Sequence, residues 1–265
     1  MNVVSINGMR GCHISVTKAN NFLVVSGYHD GKITVMHINA DGSVGSIADE
    51  VFHKGMGSPH VSNTCFTPDE DLLCACDLGI DQIKLYEFNH RTGKLKLFDI
   101  IRSQQESAPR KMIFSEDGKY AYVVCELKNY INVYSYDKDS DKTRFEMIQN
   151  IFTVRRDHKS NSAASDIIFA NNGSNLICSN AGDNTATIYS VDKKSGKIVT
   201  LNSLPVSGDY PKYVCLFPDN KHLMSMNNEG SSITIFTVDY KKGLIVMNGK
   251  EIKISRPNNM VIKKL

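Results

Sequence analysis

The stretch from Ala108 to Asp137, APRKMIFSEDGKYAYVVCELKNYINVYSYD, reads as three strands joined by two tight turns. A first apolar strand runs into Ser115-Glu116-Asp117-Gly118-Lys119, where Asp-Gly supplies the positive φ that a tight hairpin requires. A second strand, Tyr120 to Cys125, is followed by a short loop. A third alternates Ile131, Val133 and Ser135 on one face with Tyr134 and Tyr136 on the other. After a turn at Asp137 to Lys142, a fourth, outer strand is expected through Phe145-Glu146-Met147-Ile148.

The same grammar recurs along the chain. Copies begin at Gly11 (GCHISVTKANNFLVVSGYHDGKITVMHINADG), Ser58 (SPHVSNTCFTPDEDLLCACDLGIDQIKLYEFNHRTG), Ala163 (AASDIIFANNGSNLICSNAGDNTATIYSVDKKSG) and Tyr210 (YPKYVCLFPDNKHLMSMNNEGSSITIFTVDYKKG). The period of roughly 46 to 54 residues lies in the range of propeller arrays. Four antiparallel strands per repeat, with no helical periodicity between repeats, predict an all-β fold: a β-propeller of four-stranded antiparallel blades. Five copies are present, and RPNNMVIKKL from Arg256 reads as the first strand of a sixth. A single propeller domain over residues 1–265 is expected. The orphan strand near Val261 needs partners, of which Val3-Val4-Ser5-Ile6 supplies one, and unpaired blade edges make self-association an expected property.

The bulk composition excludes several classes. With 265 residues, 41% of them hydrophobic, and a formal charge of only +3, the chain has ordinary globular composition and no electrostatic case for nucleic acid. No run approaches the roughly 20 apolar residues of a membrane helix. The seven cysteines are mostly embedded in apolar strand-like runs, where a free thiol behaves as a small hydrophobe. Their spacing completes no zinc site, so no metal and no other cofactor is expected. The reduced thiols, and an N-terminus without a signal-peptide layout, point to a cytoplasmic protein.

In a propeller the first strand of each blade lines a central channel and pairs with the second, so the start of one and the end of the other share a mouth. The strand-one starts carry His13, His60, Arg110, Ser165 and Lys212. The strand-two ends carry Tyr28 and His29, Asp77, Glu126, Asn180, and Asn227 with Asn228. Converging charged and polar groups of this kind make a polar ligand site. His37, His53, His90 and His222 fall in strands or surface turns and are read as structural.

The repeats resemble the lactonase-type seven-bladed propellers, a family that includes bacterial 6-phosphogluconolactonases and the fungal enzyme that cycloisomerises carboxymuconate. The resemblance rests on Pro59, His60, Asp77, Leu78, Gly79 and Asp81, on Pro109, Arg110 and Lys111, on Cys125, Glu126 and Leu127, and on Pro211 with Lys212. Lys111 and Lys212 stand where the family often has His and Arg, and Cys125 replaces an Asn. N-terminal blade sequence relative to that family is expected to be missing.

The resemblance implies hydrolysis of a sugar lactone, most simply 6-phosphogluconolactone to 6-phosphogluconate, in carbohydrate metabolism. His60, Glu126 and Arg110 are the expected catalytic residues; histidine as a class titrates near neutrality and suits proton transfer. Lys212, His13, His29, Asp77, Asn180 and Asn228 are expected to contact the substrate, a lactone or sugar-acid phosphate. A non-catalytic propeller that binds a small acid or a protein is the competing expectation.

Overall fold

The computed structural model describes residues 2–140, 143–158 and 161–262, and among them every regular element is a β-strand. The chain divides into two compact units, one ending at Phe114 and the other starting at Ser115. In the first, β1 (His13–Val16), β2 (Phe22–Gly27), β3 (Lys32–Ile38) and β4 (Val44–Phe52) form one antiparallel sheet in sequence order. A second sheet repeats the order with β5 (Val61–Phe66), β6 (Leu72–Asp77), β7 (Gln82–Phe88) and β8 (Leu95–Arg102). The unit ends with β9 (Pro109–Phe114).

The second unit opens with β10 (Tyr120–Cys125), β11 (Tyr130–Tyr136) and β12 (Phe145–Phe152), so the third copy of the repeat straddles the division. The next sheet is β13 (Ala163–Ala170), β14 (Asn175–Ala181), β15 (Thr185–Val191) and β16 (Ile198–Pro205). The last is β17 (Pro211–Leu216), β18 (His222–Asn227), β19 (Ser232–Asp239) and β20 (Leu244–Met247), with the short β21 (Ile252–Lys253) also pairing β19. The expected blade of four antiparallel strands is therefore what the repeat builds.

Turn chemistry explains the hairpins. Gly118 sits at φ 73°, and the Asn171-Asn172-Gly173 turn takes three consecutive left-handed residues at 50°, 52° and 75°. Asn tolerates that region better than other side-chain-bearing residues, which is why asparagine and glycine recur at these turns.

Alternation then sets the packing. On the first blade Phe22, Val24, Ile33 and Val35 face the second and meet Val61, Leu73, Ala75, Tyr86 and Phe88. In the second unit Ile177, Ala186 and Ile188 of one blade meet Val214, Leu223, Phe236 and Val238 of the next in the same way. Val24, Ile33 and Val35 are fully buried, each contributing about 1.5–3 kcal/mol through loss of apolar surface to water.

Two expectations at the chain ends are corrected. Residues 254–262 form no strand, so the sixth copy does not begin as one; its last three residues, 263–265, lie outside the described set. Residues 3–6 pair with no strand either. They are tied down by side chains instead: Asn2 exchanges two hydrogen bonds with the Val44 backbone, and the buried Lys32 ammonium donates to the carbonyls of Ile6 and Asn7 while pairing with Glu50 at 2.8 Å.

Candidate functional site

His13, His29, His60, Asp77 and Arg110 belong to the first unit, and Glu126, Asn180, Lys212 and Asn228 to the second. Each group is built by its own local register.

His60 lies one residue before β5 and is half-buried. Its Nδ1 sits 2.8 Å from the Tyr28 carbonyl oxygen, and the ring stacks on the Tyr28 ring with centroids 4.4 Å apart and planes 11° apart. A carbonyl only accepts, so Nδ1 carries the hydrogen, and in the neutral ring Nε2 holds the lone pair. The backbone fixes the rest: His60 N–H and Gly79 N–H both donate to Asp77 Oδ1, at 2.7 and 3.1 Å. Gly79 has to be glycine, because a Cβ there would overlap the Ser58 carbonyl and lie 2.8 Å from His60 Cδ2. His29 is exposed and packs edge-on against the same Tyr28 ring. Tyr28, half-buried between the two histidines, is the platform of this group, and the sequence offers it only as a neighbour of His29.

Asp77 does not meet the expectation of a substrate contact. It is fully buried, and its second oxygen accepts from His53 Nδ1 at 2.7 Å. His53 in turn is buried beneath the surface rather than in a surface turn; burial lowers its pKa, against an opposing pull from Asp77.

The register shows why. The last residue of the second strand is Asp77 in β6, Cys125 in β10 and Asn227 in β18, with Asn180 the pairing equivalent in β14, and all four are completely buried. Glu126, Tyr28 and Asn228 come one residue later and are half-buried. One step along a strand reverses the face, so the expected set mixes two faces. Asn180 is on the buried one: its Nδ2 donates to the Thr153 carbonyl at 2.8 Å and to the Thr185 and Thr187 hydroxyls. It too has a packing role and no exposure to a ligand.

The first strands mix positions similarly. His13 pairs opposite Ser26, which makes it the equivalent of Asn63 and not of His60. Its Nε2 lies 3.1 Å from Asn63 Nδ2, while Asn63 Oδ1 accepts from Met112 N–H at 3.2 Å. Asp166 makes the equivalent bond to Val214 N–H at 3.1 Å, so this position staples the second and fourth blades to the strands that follow them. Burial, helped by the nearby Lys111 charge, lowers the His13 pKa to about 4.

The positions between these staples are bulged. Register shifts flank Ser62, Ser165 and Lys212 at the starts of β5, β13 and β17. A bulge re-aims a side chain, and such irregularities concentrate beside functional sites. Ser62 Oγ donates to the Arg110 carbonyl at 2.6 Å, joining β5 to β9 where Arg110, half-buried, projects. Asp81 holds the loop ahead of Arg110 by accepting from Glu106 and Ala108 N–H at 2.7 and 2.8 Å. Tyr28, Ser62 and Asp81 are thus supporting residues: pattern reading passes over Ser62 and names Tyr28 only at a strand end and Asp81 only within the Asp-Leu-Gly-x-Asp element. For Asp81 the signal is its place two residues after glycine in a turn, where it takes a left-handed φ of 54° and its side chain clamps a neighbouring loop.

In the second unit Lys212 and Asn228 are brought together: Lys212 Nζ and Asn228 Nδ2 each lie 3.0 Å from Asn258 Oδ1. Glu126 follows β10, half-buried, and its carbonyl accepts from Ala164 N–H at 3.1 Å. Among the described residues no helix is long and apolar enough to cross a membrane.

Known proteins agree with this architecture. The profile described as lactonase, seven-bladed β-propeller, matches residues 1–262. The chain is 28% identical to the 6-phosphogluconolactonase of Bacillus subtilis over 95% of its own length and 73% of that protein. It is 30% identical to an uncharacterised protein of Lactococcus lactis subsp. cremoris, over 94% of this chain and 73% of that one. A crystal structure of a Lactobacillus plantarum protein superposes with a TM-score of 0.88 at 26% identity, covering 97% of this chain and 75% of the other. With its blades, its Pro-His and Asp-Leu-Gly-x-Asp elements and this match across nearly its whole length, the chain belongs to the lactonase seven-bladed β-propeller family.

Proposed function

We propose that this chain hydrolyses a sugar lactone, with 6-phosphogluconolactone as the substrate, and that His60 is the base. The observation that carries the reading is the commitment of His60 Nδ1 to the Tyr28 carbonyl, which leaves the lone pair of a half-buried imidazole on Nε2. The similarity to the Bacillus subtilis enzyme supports the choice of substrate.

The chemistry follows from these groups. Nε2 takes a proton from water as its oxygen attacks the lactone carbonyl carbon. The carbonyl π pair moves onto oxygen, and Arg110 supplies positive charge for that oxyanion or for the substrate phosphate. When the tetrahedral intermediate collapses, the ring C–O bond breaks, and the departing alkoxide takes back the proton from His60. The product is the open-chain hydroxy acid, and His60 is restored. A positioned base contributes about 10²- to 10⁴-fold and an oxyanion donor about 10²- to 10³-fold.

The test is turnover of 6-phosphogluconolactone with spontaneous hydrolysis subtracted. Wild type is expected to exceed background, and His60→Ala and Arg110→Ala to fall toward it by these factors. Glu126→Gln and Lys212→Ala in the same assay test the roles that the family resemblance assigns to those residues. Wild-type turnover equal to background would sink the reading for this substrate, and binding of phosphate or citrate without turnover would favour a non-catalytic acid-binding propeller.

A further inference from the structure

The junction between successive blades repeats a contact that differs in kind between the two units. His53, Thr153 and Val206 each follow an outer strand and donate their backbone N–H to the carbonyl of a left-handed turn residue: Gly31 at 2.8 Å, Asn129 at 2.8 Å and Asn184 at 3.0 Å. They are therefore equivalent positions. Each reaches the second or third strand of the next blade. At Thr153 and Val206 the contact is neutral: the Thr153 carbonyl accepts from Asn180 and Thr187, and the Val206 carbonyl accepts from Thr234 Oγ1 at 2.8 Å. At His53 it is a side chain, donating from Nδ1 to a carboxylate buried at the equivalent of Asn180.

An amide among hydroxyls fills this seam at two of the blades, Asn227 bonded through both its oxygen and its nitrogen and Asn180 through its nitrogen, so folding does not demand a carboxylate there. Burying one costs several kcal/mol unless every lone pair is matched by a donor. In the first unit the donors are His53, the His60 N–H and the Gly79 N–H, and two of those three belong to the loop that presents His60. The ionisable groups around the pair are Lys84 and Tyr86 on β7. Lys84 Nζ donates to the Lys54 carbonyl at 3.0 Å, and the Tyr86 ring lies 6.0 Å from the His53 ring.

We infer that His53 and Asp77 are positioning residues for His60: His53 holds the Asp77 carboxylate so that its other oxygen grips the backbone of His60 and Gly79, which fixes the His60 imidazole on Tyr28 with Nε2 as its lone pair. The inference rests on the reading of His60 as the base. It explains why a costly buried carboxylate stands where neutral asparagine serves elsewhere, since an ångström of misplacement can reduce a rate by about 10²-fold.

The experiment compares His53→Phe, which removes the donor, with His53→Asn, whose Nδ2 occupies the place of Nδ1, each in the full chain and checked for a cooperative thermal transition. The readouts are kcat and KM for 6-phosphogluconolactone and the ¹⁵N shifts of the His60 ring. In His53→Phe kcat is expected to fall about 10- to 100-fold with KM within about twofold, and the ring signals to move from a single Nδ1–H tautomer to a mixture. His53→Asn is expected to keep both near wild type. An unchanged His60 tautomer and kcat in His53→Phe would overturn the inference, as would equal losses in both variants. Should wild type show no turnover, the function proposed above fails while the ¹⁵N readout still decides whether His53 positions His60. Should His53→Phe not fold, His53→Leu, which removes the same donor, gives the same tautomer readout.

Discussion

Blade junctions in the two units solve one problem differently. In the second unit Asn180 and Asn227 bury their amides among Thr185, Thr187, Ser225, Ser232 and Thr234, so each seam is a web of neutral groups. In the first unit the equivalent position holds Asp77, matched by His53 and by two backbone N–H groups. A backbone that accepts either arrangement shows that the propeller constrains where polar groups are buried and leaves open what they are. The ionic version occurs where the loop carrying His60 has to be held.

The largest effect expected from that contrast is the exchange in the wrong direction. Asn180→Asp would place a carboxylate oxygen against the Thr153 carbonyl and remove the donors to it, at a cost of about 3–5 kcal/mol by urea denaturation. Desolvation would raise the pKa of the introduced acid, so the unfolded chain would give up its proton at lower pH than the folded one. The loss should therefore grow as pH rises above roughly 4, and a pH-independent loss would break the comparison. The reverse exchange, Asp77→Asn, is expected to cost only about 1–3 kcal/mol, because one amide oxygen can still accept from His60 and Gly79 while His53 turns its lone pair toward the new N–H. A cost above that of Asn180→Asp would show that the seams are not interchangeable.

A smaller effect sharpens the first unit's side. His13 has a folded pKa of about 4 against an ordinary value of 6.5, so between those values the unfolded chain binds the extra proton. Stability is then complete above about 6.5 and declines as pH falls toward 4, and the lowered pKa of His53 adds to the same slope. His13→Asn, the residue that its counterpart Asn63 already is, should flatten the urea midpoint against pH over this window without removing the slope. The smallest effect is expected at the exposed end of the second unit. Asn258→Ala removes the group shared by Lys212 and Asn228 and should change stability by less than about 0.5 kcal/mol. A larger change in thermal midpoint would make residues 254–262 part of the fold rather than its trailing edge.

Much of this was legible in the residues themselves. The strand Tyr120–Cys125 and the turn before it lie where Asp-Gly and the apolar run predict, because turn chemistry and alternation are local properties. The endings were less legible. Met260 and Val261 look strand-like, but a strand exists only with a partner, and none of residues 254–262 enters a ladder. His60 stands out in the residues through its Pro-His context, whereas strand-end position alone groups Asp77 and Asn180 with the ligand contacts and offers Tyr28 at the mouth without a role.

The sequence by itself determined the blade: its four strands, its turns, its period and the family to which it belongs. Only the tertiary structure decided which polar residues at the strand ends face outward and which are sealed between blades. The physical reason is the two-residue period of a β-strand. A difference of one position, such as Asn180 against Glu126, is invisible in composition. In space it separates a buried hydrogen-bond network from a half-exposed side chain.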